Sequence, residues 1–258
     1  HQCLQSMPRI TVNDVDFHYL DEGQGATLLL LGGTLSTARG DFSAQIDAFR
    51  DTHRVIAPDR RGYGATRPPA RDFPDNFYER EARDMAAIVR ALELKDITVF
   101  GWSEGAAVAL WLATLEPSRV KALVVWGGIA SLGPQDIARF ETRRDTSAWS
   151  PRAQTALNEI FGDGYWQRVW CDWLDTMQRL AAQGSARLAC LDDVTCPVLV
   201  MHGGRDPLIG VEHPQALLRG LRAARLHEIA EGAHNLHLSH ADPFNQAARE
   251  FLRDIGAA

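Results

Sequence analysis

Lysine is nearly missing from this chain: it occurs only at Lys95 and Lys121 among 27 basic residues, the remainder being arginine. The bias, with abundant alanine, points to a GC-rich and bacterial genome. Basic charge is also in deficit overall, with a formal net charge of -6 and a pI near 5.8. That balance gives no footprint for duplex nucleic acid or an anionic membrane, so neither is expected as a partner. The four cysteines, Cys3, Cys171, Cys190 and Cys196, show no C-x-x-C pair and no zinc-ligand spacing, and read as free thiols in a reducing compartment. No apolar run approaches the roughly 18 residues that a membrane helix needs, and the N-terminus has no signal-like hydrophobic region. A cytoplasmic location is the expectation, mitochondrial if the chain is a processed eukaryotic form. Residues 1–6, ahead of Met7-Pro8-Arg9, read as a tag or precursor remnant.

What is present is a chain of 258 residues, 45% hydrophobic and 23% charged, long enough for one large core. Ile10 to Leu20 alternates apolar and polar residues and reads as one antiparallel edge strand ending in a turn at Asp21-Glu22-Gly23. Thr27 to Leu31 is continuously apolar, as in a strand covered on both faces. Similar runs at Arg54 to Ala57, Ile97 to Phe100, Ala122 to Trp126, Val198 to His202 and Arg225 to Glu228 alternate with helical segments. The fold predicted is α/β, a mostly parallel doubly wound sheet. The longest interval between strands holds helical patterns, so the core is expected over 7–130 and 194–256 with a helical cap inserted at 131–193. Within it Trp166, Trp170 and Trp173 share one helical face, with Trp149 upstream. This stripe either fixes the cap to the body or partly lines a pocket for an apolar substrate group.

The strongest chemical signal is Gly101-Trp102-Ser103-Glu104-Gly105, set between an apolar strand and an alanine-rich helix. Two glycines around a serine at a strand-to-helix corner form a nucleophile elbow, which lifts the hydroxyl above the sheet. A serine nucleophile needs a base and an acid to orient that base. Asp206 follows the run Val198 to Met201, and His234 follows the last predicted strand. Ser103, Asp206 and His234 thus give the chain order of an α/β-hydrolase triad. Asp206 could instead be only a turn former before Pro207, while Asp192 and Asp193 precede their strand and suit the role less. His237 and His240 repeat at three-residue spacing after His234; a metal reading lacks an acidic ligand pattern, and local packing explains them better, as it does His202. Two backbone N–H donors are needed for the oxyanion. Glu104 supplies one and Thr34, with Leu35 as neighbour, the other, unless Gly32-Gly33 is merely a tight turn.

Together these residues resemble the valacyclovirase or biphenyl hydrolase-like branch of the α/β-hydrolases, from about Val12 to Phe251. The likeness is carried by Asp59-Arg60-Arg61-Gly62-Tyr63-Gly64, Arg67-Pro68-Pro69, Asp72-Phe73-Pro74, the elbow, and Glu231-Gly232-Ala233-His234-Asn235-Leu236-His237-Leu238 with Ala241-Asp242. It implies a serine hydrolase acting on α-amino-acid esters, with Ser103, Asp206 and His234 as triad and the acidic residue after the serine holding the substrate ammonium. Those relatives usually carry aspartate there, where this chain has Glu104, and proline in place of Gly32.

A carboxylate beside an oxyanion hole is unfavourable in itself: at about 5 Å and an effective dielectric near 20 the repulsion is roughly 3 kcal/mol. A cationic substrate group would offset it, unless Glu104 turns to water and caps its helix. Glu104, Trp126 and Trp166 are the expected substrate-binding residues, the substrate is a small-molecule ester, and no metal or organic cofactor is required. A monomer or small homo-oligomer is expected. The rival expectations are a broad carboxylesterase, thioesterase or lactonase, carbon–carbon bond hydrolysis, and a non-catalytic binding protein on the same fold.

Overall fold

The structure is a computed structural model that describes residues 7–184, 188 and 190–256. The remnant assignment for residues 1–6, and Cys3 with it, lies outside the described residues. The strands are β1 (Arg9–Val12), β2 (Val15–Glu22), β3 (Ala26–Leu31), β4 (His53–Pro58), β5 (Ile97–Trp102), β6 (Val120–Trp126), β7 (Val198–Gly203) and β8 (Ala224–Ile229). They form one sheet in the order β1-β2-β4-β3-β5-β6-β7-β8. Pairing is antiparallel for β1 with β2 and β2 with β4, and parallel from β4 to β8.

The single edge strand expected over Ile10 to Leu20 is instead a two-strand hairpin. Asn13 and Asp14 both adopt positive φ, at 49° and 59°, and close β1 on β2. A two-residue turn with both central residues left-handed matches the twist of flanking strands, and Asn and Asp tolerate that region.

The helices are α1 (Ala38–Phe49), α2 (Phe77–Ala91), α3 (Glu104–Leu115), α4 (Pro134–Glu141), α5 (Pro151–Phe161), α6 (Tyr165–Ala182), α7 (Glu212–Gly220), α8 (Leu236–Ser239) and α9 (Ala241–Asp254). β3, β5 and β6 are buried almost throughout because helices cover both faces of the sheet. One apolar cluster joins β3 and β5 to α2 and α3; the other joins alternate residues of the same strands to α1 and α9.

A third cluster is built from α4, α5 and α6, which lie between β6 and β7, packed on Leu35, Tyr63, Phe73, Phe77 and Ile209. Residues at the carboxyl ends of the parallel strands therefore meet this helical segment, the crevice where α/β sheets commonly place ligands. The thiols of Cys171, Cys190 and Cys196 are free. Burial pushes the Cys190 thiol up to about 12 and the Cys196 thiol up to about 11, which makes both inert packing residues.

Candidate active site

Ser103 follows directly on β5 and precedes α3 with φ 55° and ψ -117°, a conformation that an L-residue adopts only when its surroundings enforce it. The enforcement is visible at Gly105. A Cβ there would lie 2.0 Å from the Leu31 carbonyl oxygen, so the helix can start against the end of β3 only with glycine at this place. The Ser103 N–H donates to the Trp126 carbonyl at 2.9 Å, tying the corner to β6.

Asp206 sits after β7 with a side chain 1% exposed. Its Oδ1 accepts from the N–H groups of Leu208 (2.8 Å) and Ile209 (3.0 Å), and its Oδ2 pairs with His234 Nδ1 at 2.9 Å. Burial acts to raise its carboxyl pKa. The His234 partner and the two backbone donors outweigh burial and hold it below the ordinary carboxylate range. With Nδ1 engaged by Asp206, His234 has Nε2 left for a substrate proton. Trp102, inside the elbow pentapeptide, holds the histidine loop: its Nε1 donates to the His234 carbonyl at 2.9 Å.

Ser103, Glu104, Thr34 and His234 line one cavity of about 180 Å³, walled otherwise mainly by aromatic and aliphatic side chains including Tyr78, Trp149, Trp170 and Trp173. A second cavity, of about 250 Å³, is lined by Arg143, Pro207, Ala233 and Asn235. The two share Trp149, Trp170, Leu208 and His234. Neither the Thr34 nor the Glu104 N–H donates to an acceptor among the described residues.

Two residues expected at the substrate lie elsewhere. Trp126 is 1% exposed in the sheet core, where its Nε1 donates to His237 Nδ1 at 3.1 Å. It ends β6 with its ring turned to Phe42 and Phe244, on the α1 and α9 side of the sheet. Trp166 is fully buried at the start of α6, with its Nε1 bonded to Asn158 of α5 at 2.6 Å. The indoles that reach the cavity are Trp102 of the elbow and Trp149, Trp170 and Trp173.

Glu104 departs from the water-facing arrangement considered for it. It is 2% exposed, so it does not turn to water. Its Oε2 accepts from Arg60 Nη2 (2.9 Å), Tyr63 OH (3.3 Å) and Arg71 Nη2 (3.4 Å). Arg60 and Arg71 also pair with Glu81 of α2, giving two buried arginines against two buried carboxylates. Glu104 Oε1 accepts no hydrogen bond. Sequence reasoning quoted Arg60 and Tyr63 only for their family motif and did not single out Arg71 or Glu81. Nothing in the local spacing reveals that residues so far apart converge.

His237 and His240 do not join His234 in a ligand set. His237 is buried against Trp126 and Trp102, and burial lowers it to about 3; His240 Nδ1 lies 3.0 Å from Ser239 Oγ. A different trio, Asp136, Glu212 and His213, brings its ligand atoms within 4.8 Å of one another. Arg139 bonds both carboxylates there (3.2 and 2.5 Å), and His213 Nε2 takes Asp136 Oδ1 at 2.9 Å. A guanidinium among the carboxylates repels a cation, so this cluster is an ionic tie between α4 and α7.

The chain belongs to the α/β-hydrolase family, whose model matches residues 28–247. Within that family it is a serine hydrolase of the biphenyl hydrolase-like branch. It is 37% identical over 249 residues to the serine hydrolase BPHL of Mus musculus, covering 95% of this chain and 86% of the relative. It is 27% identical to 3-oxoadipate enol-lactonase 2 of Acinetobacter baylyi, covering 95% of this chain and 96% of that one. Among solved structures, a meta-cleavage product hydrolase from Pseudomonas fluorescens superposes with a TM-score of 0.78 at 20% identity, covering 96% of this chain and 97% of the other. The family places the chain among ester hydrolases acting on small molecules. Among the described residues no helix is long and apolar enough to cross a membrane.

Proposed function

We propose that the chain hydrolyses esters of α-amino acids through an acyl-enzyme. Ser103 is the nucleophile, His234 the base and Asp206 its orienting acid; the N–H groups of Thr34 and Glu104 receive the oxyanion. His234 takes the Ser103 proton as Oγ attacks the carbonyl carbon. The tetrahedral intermediate collapses as imidazolium protonates the departing alcohol, and water, deprotonated by His234, cleaves the acyl-enzyme. The acyl group occupies the cavity beside Ser103 and Glu104. The alcohol leaves on the His234 and Asn235 side, because its oxygen must meet His234 Nε2.

The observation that carries the amino-acid assignment is Glu104 itself. Glu104 is one of the residues around the acyl cavity and one oxygen of its buried carboxylate, Oε1, accepts no hydrogen bond, while the mainly aromatic walls offer little else to an ammonium group. A free amine on the acyl α-carbon would supply the missing donor. The expected result is a kcat/KM at least tenfold higher for a free amino-acid ester than for its N-acetyl analogue, a preference lost in Glu104→Gln. Equal values in the wild type overturn the amine claim, while turnover undiminished in Ser103→Ala overturns the nucleophile claim.

One observation favours a second reading, a broad carboxylesterase or lactonase. Arg60 and Arg71 already neutralise the Glu104 charge, so the site needs no substrate cation to offset it. The same substrate pair separates the two.

A further inference from the structure

The residue that joins the two halves of the oxyanion hole is Arg60. Its guanidinium is 1% exposed, and a single nitrogen, Nη2, donates both to the Gly33 carbonyl (2.7 Å) and to Glu104 Oε2 (2.9 Å). Gly33 and Thr34 share one peptide plane. In a trans peptide the carbonyl and the next N–H point in opposite directions, so a donor that fixes the Gly33 oxygen also fixes the direction of the Thr34 N–H. Ser103 adjoins that peptide: a Cβ built on Gly33 would lie 3.0 Å from Ser103 Cβ and 3.5 Å from its Oγ. The same nitrogen anchors the side chain of Glu104, whose own N–H is the second donor.

We infer that Arg60 is a positioning residue for transition-state stabilisation, holding the Thr34 and Glu104 amides in the geometry that receives the oxyanion. The inference rests on the oxyanion-hole reading above, and is independent of whether the substrate carries an amine. Two physical effects act together. A charge-assisted bond to the Gly33 carbonyl polarises the amide and makes the Thr34 N–H a stronger donor. The guanidinium also cancels the Glu104 charge, which would otherwise oppose charge accumulating on the carbonyl oxygen as Ser103 Oγ bonds to the carbon. Arg71 reaches Glu104 but has no bond to Gly33, so among the described residues Arg60 is the arginine that spans both segments. The other end of Arg60 is held by Glu81, which fixes the fork from behind.

The test uses an oxygen ester and its thionoester, matched in acyl group and alcohol and with the amine acetylated. Backbone N–H groups bind a developing oxyanion better than a thiolate-like sulfur, so the oxygen-over-sulfur ratio of kcat reports the oxyanion hole. Arg60→Met combined with Glu81→Gln keeps the buried cluster neutral. It should lose on the order of 10²-fold in kcat for the oxygen ester, with KM changed by less than about threefold and the oxygen-over-sulfur ratio falling at least about tenfold. Arg60→Lys retains the charge without the fork and should have an intermediate ratio, and it covers the case in which the double variant does not fold. A wild-type ratio in the folded variants, even with reduced kcat, overturns the inference and leaves Arg60 as a structural ion pair. Failure of the hydrolase reading is separately visible, as a wild type without preference for the oxygen ester or a Ser103→Ala variant with full turnover.

Discussion

His237 shows how a single buried ring sets an acid limit on the fold. It is completely buried, and its Nδ1 accepts from Trp126, which leaves the proton on Nε2 and the ring neutral. Burial first, and the nearby His234 second, lower it from 6.5 to about 3. The folded state therefore resists a proton that the unfolded chain takes up below about pH 6.5. The stability that this neutral ring contributes is complete above that pH and is lost as the pH falls towards 3. At pH 5 the loss is about 2 kcal/mol. His237→Phe should flatten the fall in melting temperature between pH 7 and pH 4.5, read by calorimetry at matched ionic strength; an unchanged slope would place the acid sensitivity elsewhere. Local reading of the sequence reached the packing role of His237, because histidine three residues beyond the candidate base had no acidic ligand pattern. It did not reach the pairing of Glu104 with Arg60 and Arg71, since charge partners remote in sequence meet only through the fold.

At the scale of elements, α6 divides its tryptophans by depth. Trp166 opens the helix and is sealed between Trp149 and Asn158, while Trp170 and Trp173, one and two turns on, reach the cavity beside Ser103. The 3.6-residue period placed all three indoles on one face, but period alone cannot tell which end of that face is covered by α5. Trp166→Ala should then cost about 3–5 kcal/mol, as large-to-small core substitutions do. Its effect on kcat/KM of the folded protein should be small, in contrast to its neighbours. Denaturant unfolding with parallel kinetics checks this, and a specific loss of activity at native stability would return Trp166 to the substrate. The strands were legible for a related reason: β3, β5, β6 and β7 are covered on both faces and read as continuous apolar runs. The β1–β2 hairpin was missed although its signal is local: the apolar positions shift phase at Asn13-Asp14, from Ile10 and Val12 to Val15, Phe17 and Tyr19, and these two turn-forming residues carry the positive φ that closes the hairpin.

The whole molecule enters the chemistry through the way three separate stretches close over the elbow. The wall common to both cavities comes from Trp149 and Trp170 of the β6–β7 segment, Leu208 after β7, and His234 after β8. No short window of sequence contains that wall, which explains why the sequence could suggest the order Ser103, Asp206, His234 but offered no outline of the pocket. If the acyl group lies on the Ser103 side and the alcohol on the Asn235 side, Trp170 is the partition between them. It is 8% exposed and its Nε1 donates to the Arg143 carbonyl at 2.9 Å, so the ring is fixed. Trp170→Ala removes the partition and merges the two spaces. With one acyl group held constant across a series of alcohols, the variant should raise kcat/KM for bulky aromatic leaving groups relative to ethanol by about tenfold. Each lost apolar contact to the small substrate should lower its own kcat/KM, by about 1–3 kcal/mol in transition-state binding. A leaving-group profile parallel to the wild type, with selectivity changed only among acyl groups, would assign Trp170 to the acyl cavity alone and move the alcohol off the His234 and Asn235 side.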